Sequence, residues 1–233
     1  MNDVTYNGTA LSTYGCFLNQ HFSFPSPEKD YELVEVLGRD GALVINNDRF
    51  RTIELSIPCY INTNFITNYR NLMAFLNSQN GFQKLQFDFE PNHFRKALVM
   101  NQTEPNVYSF ARNGSFTLVF TCMPQRWLTS GENWATFTAD GTITNPTLFD
   151  AKPIIRIYGS GDVGIGSQTI TLTQAGTAYV DVDCDIMDAY EGSTNMNQYL
   201  QVTDFPVLHS GSNGVTLGTG VTKVEIMPRW YEI

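Results

Sequence analysis

Residues 50–61 read FRTIELSIPCYI, and apolar and polar side chains alternate along this stretch. One side carries Ile53, Leu55, Ile57 and Cys59; the other carries Thr52, Glu54 and Ser56. A period of two is the repeat of a β-strand that buries one face. We therefore predict a half-buried strand here.

The same alternation recurs along the whole chain. It is found in LQFDFE (85–90), FTLVFTC (116–122), IIRIY (154–158), TITLT (169–173), YVDVDCDI (179–186) and TKVEIMP (222–228). Four dipeptides favour tight turns, because Gly and Asn accept positive φ angles: Asp40-Gly41, Asn113-Gly114, Asp140-Gly141 and Asn213-Gly214. Short strands joined by such turns predict an all-β fold of antiparallel sandwiches or barrels.

One segment departs from this pattern. TNFITNYRNLMAFLNSQNG (63–81) has apolar residues at helical spacing, namely Ile66, Tyr69, Leu72, Met73 and Leu76. Thr63 or Asn64 can cap its start, and Gly81 can end it in a left-handed turn. The sequence therefore predicts one amphipathic helix near residues 63–79, lying on a sheet.

The 233 residues are enough for two β domains. A polar, turn-rich stretch, LTSGEN (128–133), follows MPQRW (123–127) and marks the expected boundary. We expect domains at 1–130 and 131–233, each long enough to bury a core.

Composition restricts the function classes. The chain has 14 basic and 23 acidic residues, a net charge of −9, and no basic run that could neutralise phosphates. Nucleic-acid recognition and binding to anionic membranes are therefore disfavoured. No apolar run approaches the roughly 20 residues of a membrane span, and the polar start MNDVTYNG does not resemble a signal peptide.

The cysteines predict packing rather than chemistry. They are widely separated, with no C-x-x-C pair, and each lies in an apolar or alternating stretch: Cys16, Cys59, Cys122 and Cys184. We expect four reduced cysteines in the core, in keeping with a protein made in a reducing cytoplasm.

Two motifs resemble ligand-binding sites in part but lack features that binding requires. GSGDVG (159–164) fits G-x-G-x-x-G, but the β-branched stretch SQTITLTQ follows where a nucleotide-binding helix would be needed, so a glycine-rich hairpin loop is predicted. DVDCDIMDAYEG (181–192) has spaced acids but lacks the Gly and Glu of a calcium loop. A strand with an acidic solvent face explains it better, although bound calcium stays an open alternative.

Catalytic groups are sparse. His21, His93 and His209 lie in unrelated stretches, and neither G-x-S-x-G nor H-E-x-x-H occurs. We predict no catalytic residues, no cofactor and no metal site, and so no enzyme. Asp88 and Glu90 share the polar face of one predicted strand, where a solvated edge is the commoner explanation. Two alternatives stay open: a glycan hydrolase whose paired carboxylates lie at distant positions in the sequence, and a carbohydrate-binding β-sandwich. Trp134, Tyr190 and Tyr199 are its candidate aromatic platform.

Several segments together form a signature that extends from one end of the chain to the other. In the amino-terminal half these are VTYNGTALSTYG (4–15) and PSPEKDYELVEVLGRDGALVINNDRFRTIELSIPCYI (25–61), in which strands flank a G-R-D-G turn. In the carboxyl-terminal half they are AKPIIRIYGSG (151–161), DVDCDIMDAY (181–190) and TKVEIMPRW (222–230). In these segments the chain resembles the phage distal tail (Dit) proteins of long non-contractile tails.

This resemblance implies a structural virion protein, a hexameric ring at the tail tip that is assembled in the bacterial cytoplasm. Domain 1–130 would be the ring-forming sandwich with the helix, and domain 131–233 a galectin-like sandwich facing outward. One face of the ring would join the major tail tube protein, and the other the tail-associated (Tal) protein. The tape measure protein and receptor-binding proteins are further candidate partners.

The resemblance also directs attention to one loop and to the ring lumen. The turn Gly38, Arg39, Asp40 and Gly41 is the candidate interface. DNA would pass through the lumen without sequence-specific contacts, and a net negative lumen would repel it. A ring further requires two different, complementary surfaces on each subunit.

Overall fold

The computed structural model describes residues 3–19, 23–100, 103–108, 112–176 and 178–233. Two compact units emerge: one extends to Arg126 and includes Ile233, the other is Trp127–Glu232. Both units are built from strands, and the described residues contain one α-helix. The predicted all-β class with a single helix is confirmed.

The first unit contains the helix α1 (Phe65–Asn77) and a short 3-10 helix, Leu11–Tyr14. Its strands are β1 (Val4–Tyr6), β2 (Thr9–Ala10), β3 (Cys16–Leu18), β4 (Lys29–Glu35), β5 (Ala42–Phe50), β6 (Ile53–Ile61), β7 (Gln83–Phe87), β8 (His93–Val99), β9 (Asn106–Tyr108) and β10 (Asn113–Leu128). Strand β10 continues two residues into the second unit.

The main sheet of the first unit has the order β2-β1-β7-β8-β10-β6-β3, and β9 pairs with the start of β10. One hydrophobic cluster contains Val4 from β1 and Leu18 from β3, which lie towards opposite ends of this order. The sheet therefore folds around a single core. The alternation read in 50–61 and 116–122 is present, because Ile57 and Leu118 face this core as cross-strand partners.

Helix α1 packs on the core through Phe65, Leu72 and Leu76. Its predicted apolar face was wrong at Ile66, which is exposed, because Phe65 is buried instead and lies 6.3 Å from the Phe116 ring. The helix also ends before Gly81.

At that end the Ser78 hydroxyl and the Gln79 amide donate to the Phe75 carbonyl, at 2.7 and 3.0 Å, and cap the final turn. At the start, Asn64 has a left-handed φ of 49° and makes no side-chain cap.

The second unit contains 3-10 helices at Thr129–Glu132 and Asn197–Tyr199. Its strands are β11 (Ala135–Phe137), β12 (Gly141–Asn145), β13 (Ile154–Gly159), β14 (Gly161–Ile165), β15 (Gln168–Leu172), β16 (Val180–Asp183), β17 (Asp188–Glu191), β18 (Thr194–Asn195), β19 (Leu200–Val202), β20 (Gly211–Leu217), β21 (Val221–Met227) and β22 (Tyr231–Glu232).

Strands β11 to β21 form a sandwich of two antiparallel sheets. One has the order β11-β21-β13-β16-β17-β18, the other β12-β20-β14-β15-β19. Ile155 and Val182 of the first sheet share one buried cluster with Val163 and Val215 of the second. The period-two patterns of 154–158, 169–173 and 222–228 supply further inward positions, namely Ile157, Ile170 and Val224.

GSGDVG forms a corner between the two sheets, not the predicted hairpin loop. Strand β13 belongs to one sheet and β14 to the other, and the chain crosses between them at Gly159–Gly161. A Cβ on Gly159 would lie 2.2 Å from the Gly220 carbonyl oxygen, and one on Gly161 would lie 2.4 Å from that of Thr219. Glycine is required because two backbones touch at this corner.

The Asn-Gly and Asp-Gly predictions had mixed outcomes. Asp40-Gly41 lies in the β4–β5 turn, where Gly41 has φ of 77°. Asp140-Gly141 connects strands of different sheets. Asn113-Gly114 and Asn213-Gly214, however, lie inside β10 and β20.

Tertiary contacts explain both strand positions. Gly114 lies so close to the Phe65 ring that a Cβ would clash with it. The Asn213 side-chain amide donates hydrogen bonds to the carbonyls of His209 and Gly211.

Two further strands are shorter than predicted. Strand β7 stops at Phe87, which leaves Phe89 exposed in a turn, and β16 stops at Asp183, which leaves Ile186 exposed in the β16–β17 turn. All four cysteines are buried, and no disulfide joins them. Within the described ranges, no helix is both long and apolar enough to cross a bilayer.

Candidate subunit interface

A projecting two-stranded ribbon is the most unusual surface of the first unit. Strands β4 and β5 pair only with each other and form a sheet of their own. None of their residues belongs to the hydrophobic core of the unit. We call residues 29–50 the arm.

The arm is apolar on both faces. Leu33 opposes Val44 on one face, and Val34 opposes Leu43 on the other, where Ile45 also lies. Leu33 is 68% exposed and Val44 61%. An isolated two-stranded ribbon is only marginally stable in water, and exposed apolar strands bind other surfaces. The arm therefore has the composition of a segment that is covered in an assembly.

The base of the arm is fixed by charge. Asp30 is buried and accepts hydrogen bonds from Arg51 (Nη2, 2.7 Å; Nε, 3.1 Å) and from Arg49 (Nε, 2.7 Å). The hydrogen bonds from Arg51, and then those from Arg49, lower the pKa of Asp30. The same ion pair raises the pKa of Arg51. Two guanidinium groups thus hold one carboxylate where the arm leaves the sheet.

The four residues predicted as an interface form the tip of the arm. Gly38 and Gly41 have φ angles of 81° and 77°, and the Arg39 N–H donates to the Val36 carbonyl at 3.2 Å. A Cβ on either glycine would meet no atom within 4 Å, so glycine is needed for its backbone conformation rather than for space. All four residues are exposed; their contact with a partner stays a prediction.

The strands beside this tip were expected from the resemblance, but their exposed apolar side chains were not. The signal was present, because ALVI (42–45) is a continuous apolar run inside a short hairpin. Continuous rather than alternating apolar residues are typical of a strand that is covered on both faces.

A groove on the exposed face of β6 and β10 is a second candidate surface in this unit. Its volume is about 440 Å³, and its walls include Pro58, Tyr60, Thr117 and Val119. Among the described residues that line it, only Glu104 is charged. Its lining is nearly uncharged and of mixed polarity, with Asn19, Glu104, Asn106, Ser115 and Thr117 beside the apolar residues.

The sugar-platform residues lie in the second unit. Trp134 stacks on the Arg156 guanidinium (4.6 Å), and Tyr190 is the cross-strand partner of Asp181. Arg156 forms a two-point ion pair with Asp181, at 2.7 and 3.0 Å. Tyr199 instead packs against the core. The structure therefore brings two of the three aromatic residues to one face.

The polar groups on this face are already engaged. The hydrogen bonds that Arg156 donates to Asp181 raise the pKa of Arg156. Glu225 accepts from Lys223 Nζ and from the Tyr158 hydroxyl, both at 2.9 Å, and these bonds lower its pKa, with Lys223 as the larger cause. Because these side chains hydrogen-bond to one another, they stabilise the sheet and offer few further donors or acceptors to a sugar.

Asp181 and Asp183 of the calcium-like motif are not on a solvent face, and for these two acids the prediction of an acidic solvent face was wrong. Asp181 and Asp183 are 7% and 6% exposed. Arginines on other segments cover them: Arg156 pairs with Asp181, and Arg229 donates to Asp183 at 2.8 Å. Burial by itself raises the pKa of Asp183, but the hydrogen bonds from Arg229 and the Asp185 N–H outweigh it and lower the pKa.

Catalytic and metal constellations do not form from the candidates. No group of three or more His, Cys, Asp or Glu suited to a metal occurs in the part of the chain that the structure describes. Glu90 accepts from Arg95 and Arg126, at 3.1 and 3.0 Å. His93 lies 3.9 Å from Glu90, His209 lies 3.0 Å from Asp150, and His21 lies outside the described residues.

Comparisons with known proteins agree with this architecture. Residues 10–122 match the family described as phage tail protein RIFT-related domain. Among solved structures, seven chains match. One of them is the crystal structure of the SPP1 Dit (gp 19.1) protein, described as a paradigm of the hub adsorption apparatus in Gram-positive-infecting phages.

That match has a TM-score of 0.70 and 14% sequence identity, and it covers 100% of both chains. At this identity, it shows that the two chains share a fold. A search of curated proteins by sequence gave no match.

Proposed function

We propose that the protein is a distal tail protein that forms a hexameric ring hub; the match of residues 10–122 to the family described as phage tail protein RIFT-related domain supports this role. The ring lies at the tip of a long non-contractile tail. It joins the tail tube protein on one face to the tail-associated adsorption apparatus on the other. The tape measure and receptor-binding proteins are further partners, DNA passes through the lumen, and the role is structural rather than enzymatic.

The arm is the single observation that carries this proposal. A closed ring needs two different complementary surfaces on every subunit. The arm supplies an apolar ribbon with no cover of its own, and the groove walled by Pro58, Tyr60 and Val119 supplies a nearly uncharged acceptor. We propose that the arm of one copy lies in the groove of the next.

The roles of the two units follow from this arrangement. The first unit, which bears both surfaces, builds the ring. The second unit is the outward, galectin-like sandwich; its two antiparallel sheets support that assignment. The boundary near residue 130 is part of the same proposal.

The test is to make the arm polar without disturbing the fold. Leu33→Asn with Val44→Asn changes two exposed side chains. Each buried Leu or Val contributes roughly 1.5–3 kcal/mol to a contact, so the pair weakens each contact by about a hundredfold or more. Native mass spectrometry should show a hexamer for the unchanged chain and a monomer for the variant, with the same circular dichroism.

Thr142→Asn with Thr144→Asn is the matched control, because both residues are exposed on the second unit. It should remain hexameric. A monomeric unchanged chain, or a hexamer that survives the arm substitutions, would contradict the proposal.

A further inference from the structure

The second unit exposes large apolar side chains in two loops. Among its described residues, Leu148 (89% exposed), Ile186 (63%) and Met187 (62%) are the large hydrophobic residues that are strongly exposed. They lie in residues 146–150 and 184–187. We call these two segments the two-loop end.

The first loop is held rigidly by a buried side chain. The Asn145 amide donates to the carbonyls of Phe149 (2.9 Å) and Leu208 (3.0 Å). Its oxygen accepts from the N–H and the hydroxyl of Thr147, at 2.9 and 2.8 Å. Every polar group of this side chain is hydrogen-bonded, to the turn itself and to Leu208, so the turn that displays Leu148 is held in place. Rigid presentation lowers the entropy cost of binding.

The second loop is fixed to the residues that directly follow the first loop. The Asp185 N–H donates to the Asp183 carboxylate at 2.9 Å, and Met187 has a left-handed φ of 56°. The Cys184 N–H donates to the Pro153 carbonyl at 3.0 Å, and Lys152 Nζ lies 3.3 Å from Asp185 Oδ1. Lys152 and Pro153 follow the first loop closely in the chain, so these contacts place the two loops side by side.

Tyr231 lies beside both loops. Its ring stacks on Phe149 at 5.7 Å. Burial, and then the charges of Asp150 and Asp185, raise the pKa of Tyr231. The apolar side chains thus stand next to two exposed carboxylates.

The charge of the second unit is strongly one-sided. Residues 127–232 contain twelve acidic and four basic residues. All four basic residues are bound to carboxylates of the same unit: Lys152 to Asp185, Arg156 to Asp181, Lys223 to Glu225 and Arg229 to Asp183. A partner with anionic contacts, or a second copy of this surface, would meet repulsion.

We infer that the two-loop end is a docking surface for a different protein, one whose contact face has an apolar socket rimmed by Lys or Arg. Leu148, Ile186 and Met187 enter the socket, and Asp150 and Asp185 pair with the basic rim. Apolar anchors provide affinity, and the complementary charges orient the approach. This contact goes beyond the proposed ring, because the arm and the groove belong to the first unit.

Photocrosslinking in assembled phage particles tests this inference. Benzoylphenylalanine in place of Leu148 should link the full chain to a different protein. Mass spectrometry should place the link in an apolar segment with adjacent Lys or Arg. The same reagent in place of Thr142, exposed on the same sandwich, should not give this product.

A second measurement separates the charge from the apolar contact. With benzoylphenylalanine in place of Ile186, Asp150→Asn with Asp185→Asn should abolish the cross-link while the unfolding temperature stays within a few degrees. Links only to other copies of this chain, a linked segment without Lys or Arg, the same product from position 142, or no link at either loop would each overturn the inference. If the ring forms but this cross-link is absent, the docking surface is contradicted and the proposed hub stands. If the cross-link forms in particles that contain no ring, the docking surface stands and the proposed hub is contradicted.

Discussion

At the residue scale, buried ion pairs organise the second unit. Asp183 is almost inaccessible, and its charge is balanced by the Arg229 guanidinium and by the Asp185 N–H. Removing one partner of a buried ion pair lowers the free energy of unfolding by more than the intact pair contributes to it, because the remaining charge stays buried without a partner. Lys152 and Asp185, by contrast, are both about half exposed, and water can replace their contact.

Arg229→Met should therefore destabilise the protein by about 3 kcal/mol. Lys152→Met is the matched control and should cost roughly 1 kcal/mol or less. Urea unfolding, followed by circular dichroism, measures both. Equal losses of unfolding free energy for the two variants would contradict this prediction. They would show that the burial of Asp183 does not determine the cost of removing Arg229.

At the element scale, two Asn-Gly pairs inside strands show how contacts override turn chemistry. A Cβ on Gly114 in β10 would lie 2.5 Å from the Phe65 ring and 2.7 Å from the Asn106 carbonyl oxygen. A Cβ on Gly214 in β20 would meet nothing within 4 Å. Neither residue has a positive φ, so the difference between them is steric.

Gly114→Ala should destabilise the first unit by roughly 1–3 kcal/mol, because the packed Phe65 ring must move. Gly214→Ala should be neutral or stabilise by up to about 1 kcal/mol, because it restricts the unfolded chain. Differential scanning calorimetry reports both shifts. A loss at position 214 as large as that at 114 would contradict the steric explanation.

At the scale of the whole molecule, the net charge of −9 is unevenly divided. Residues 1–126 contain eleven acidic and ten basic residues, so the proposed ring-forming unit is nearly neutral. The acidity of the chain belongs to the second unit. It therefore gives no support to the expectation that a net negative lumen repels DNA, if the first unit lines that lumen.

A ring held by apolar arms on nearly neutral units should resist salt. We expect the hexamer to persist from about 0.05 M to about 1 M NaCl, where exposed charge pairs are screened. Light scattering after size exclusion measures its mass at each concentration. Dissociation at high salt would show that ion pairs, not the arm, hold the subunits together.

The sequence by itself determined the strands, the helix and the arm's turn. Alternation in 50–61 and 116–122, helical spacing in 63–81 and the glycines of G-R-D-G are local patterns, and local sterics and solvation suffice to interpret them. The residues of the candidate interface could be predicted from the sequence only in part. The tip of the arm was predicted, but its apolar flanks were not.

Only the tertiary structure decided what covers each element. Arg156 and Arg229 reach Asp181 and Asp183 from positions 25 and 46 residues away, which turns a predicted solvent face into a buried one. The corner at Gly159 and the strand position of Gly114 likewise depend on backbone and rings from distant segments. A period of two shows only that alternate side chains face opposite sides of a strand. Which of these sides is buried depends on the distant segments that pack against it.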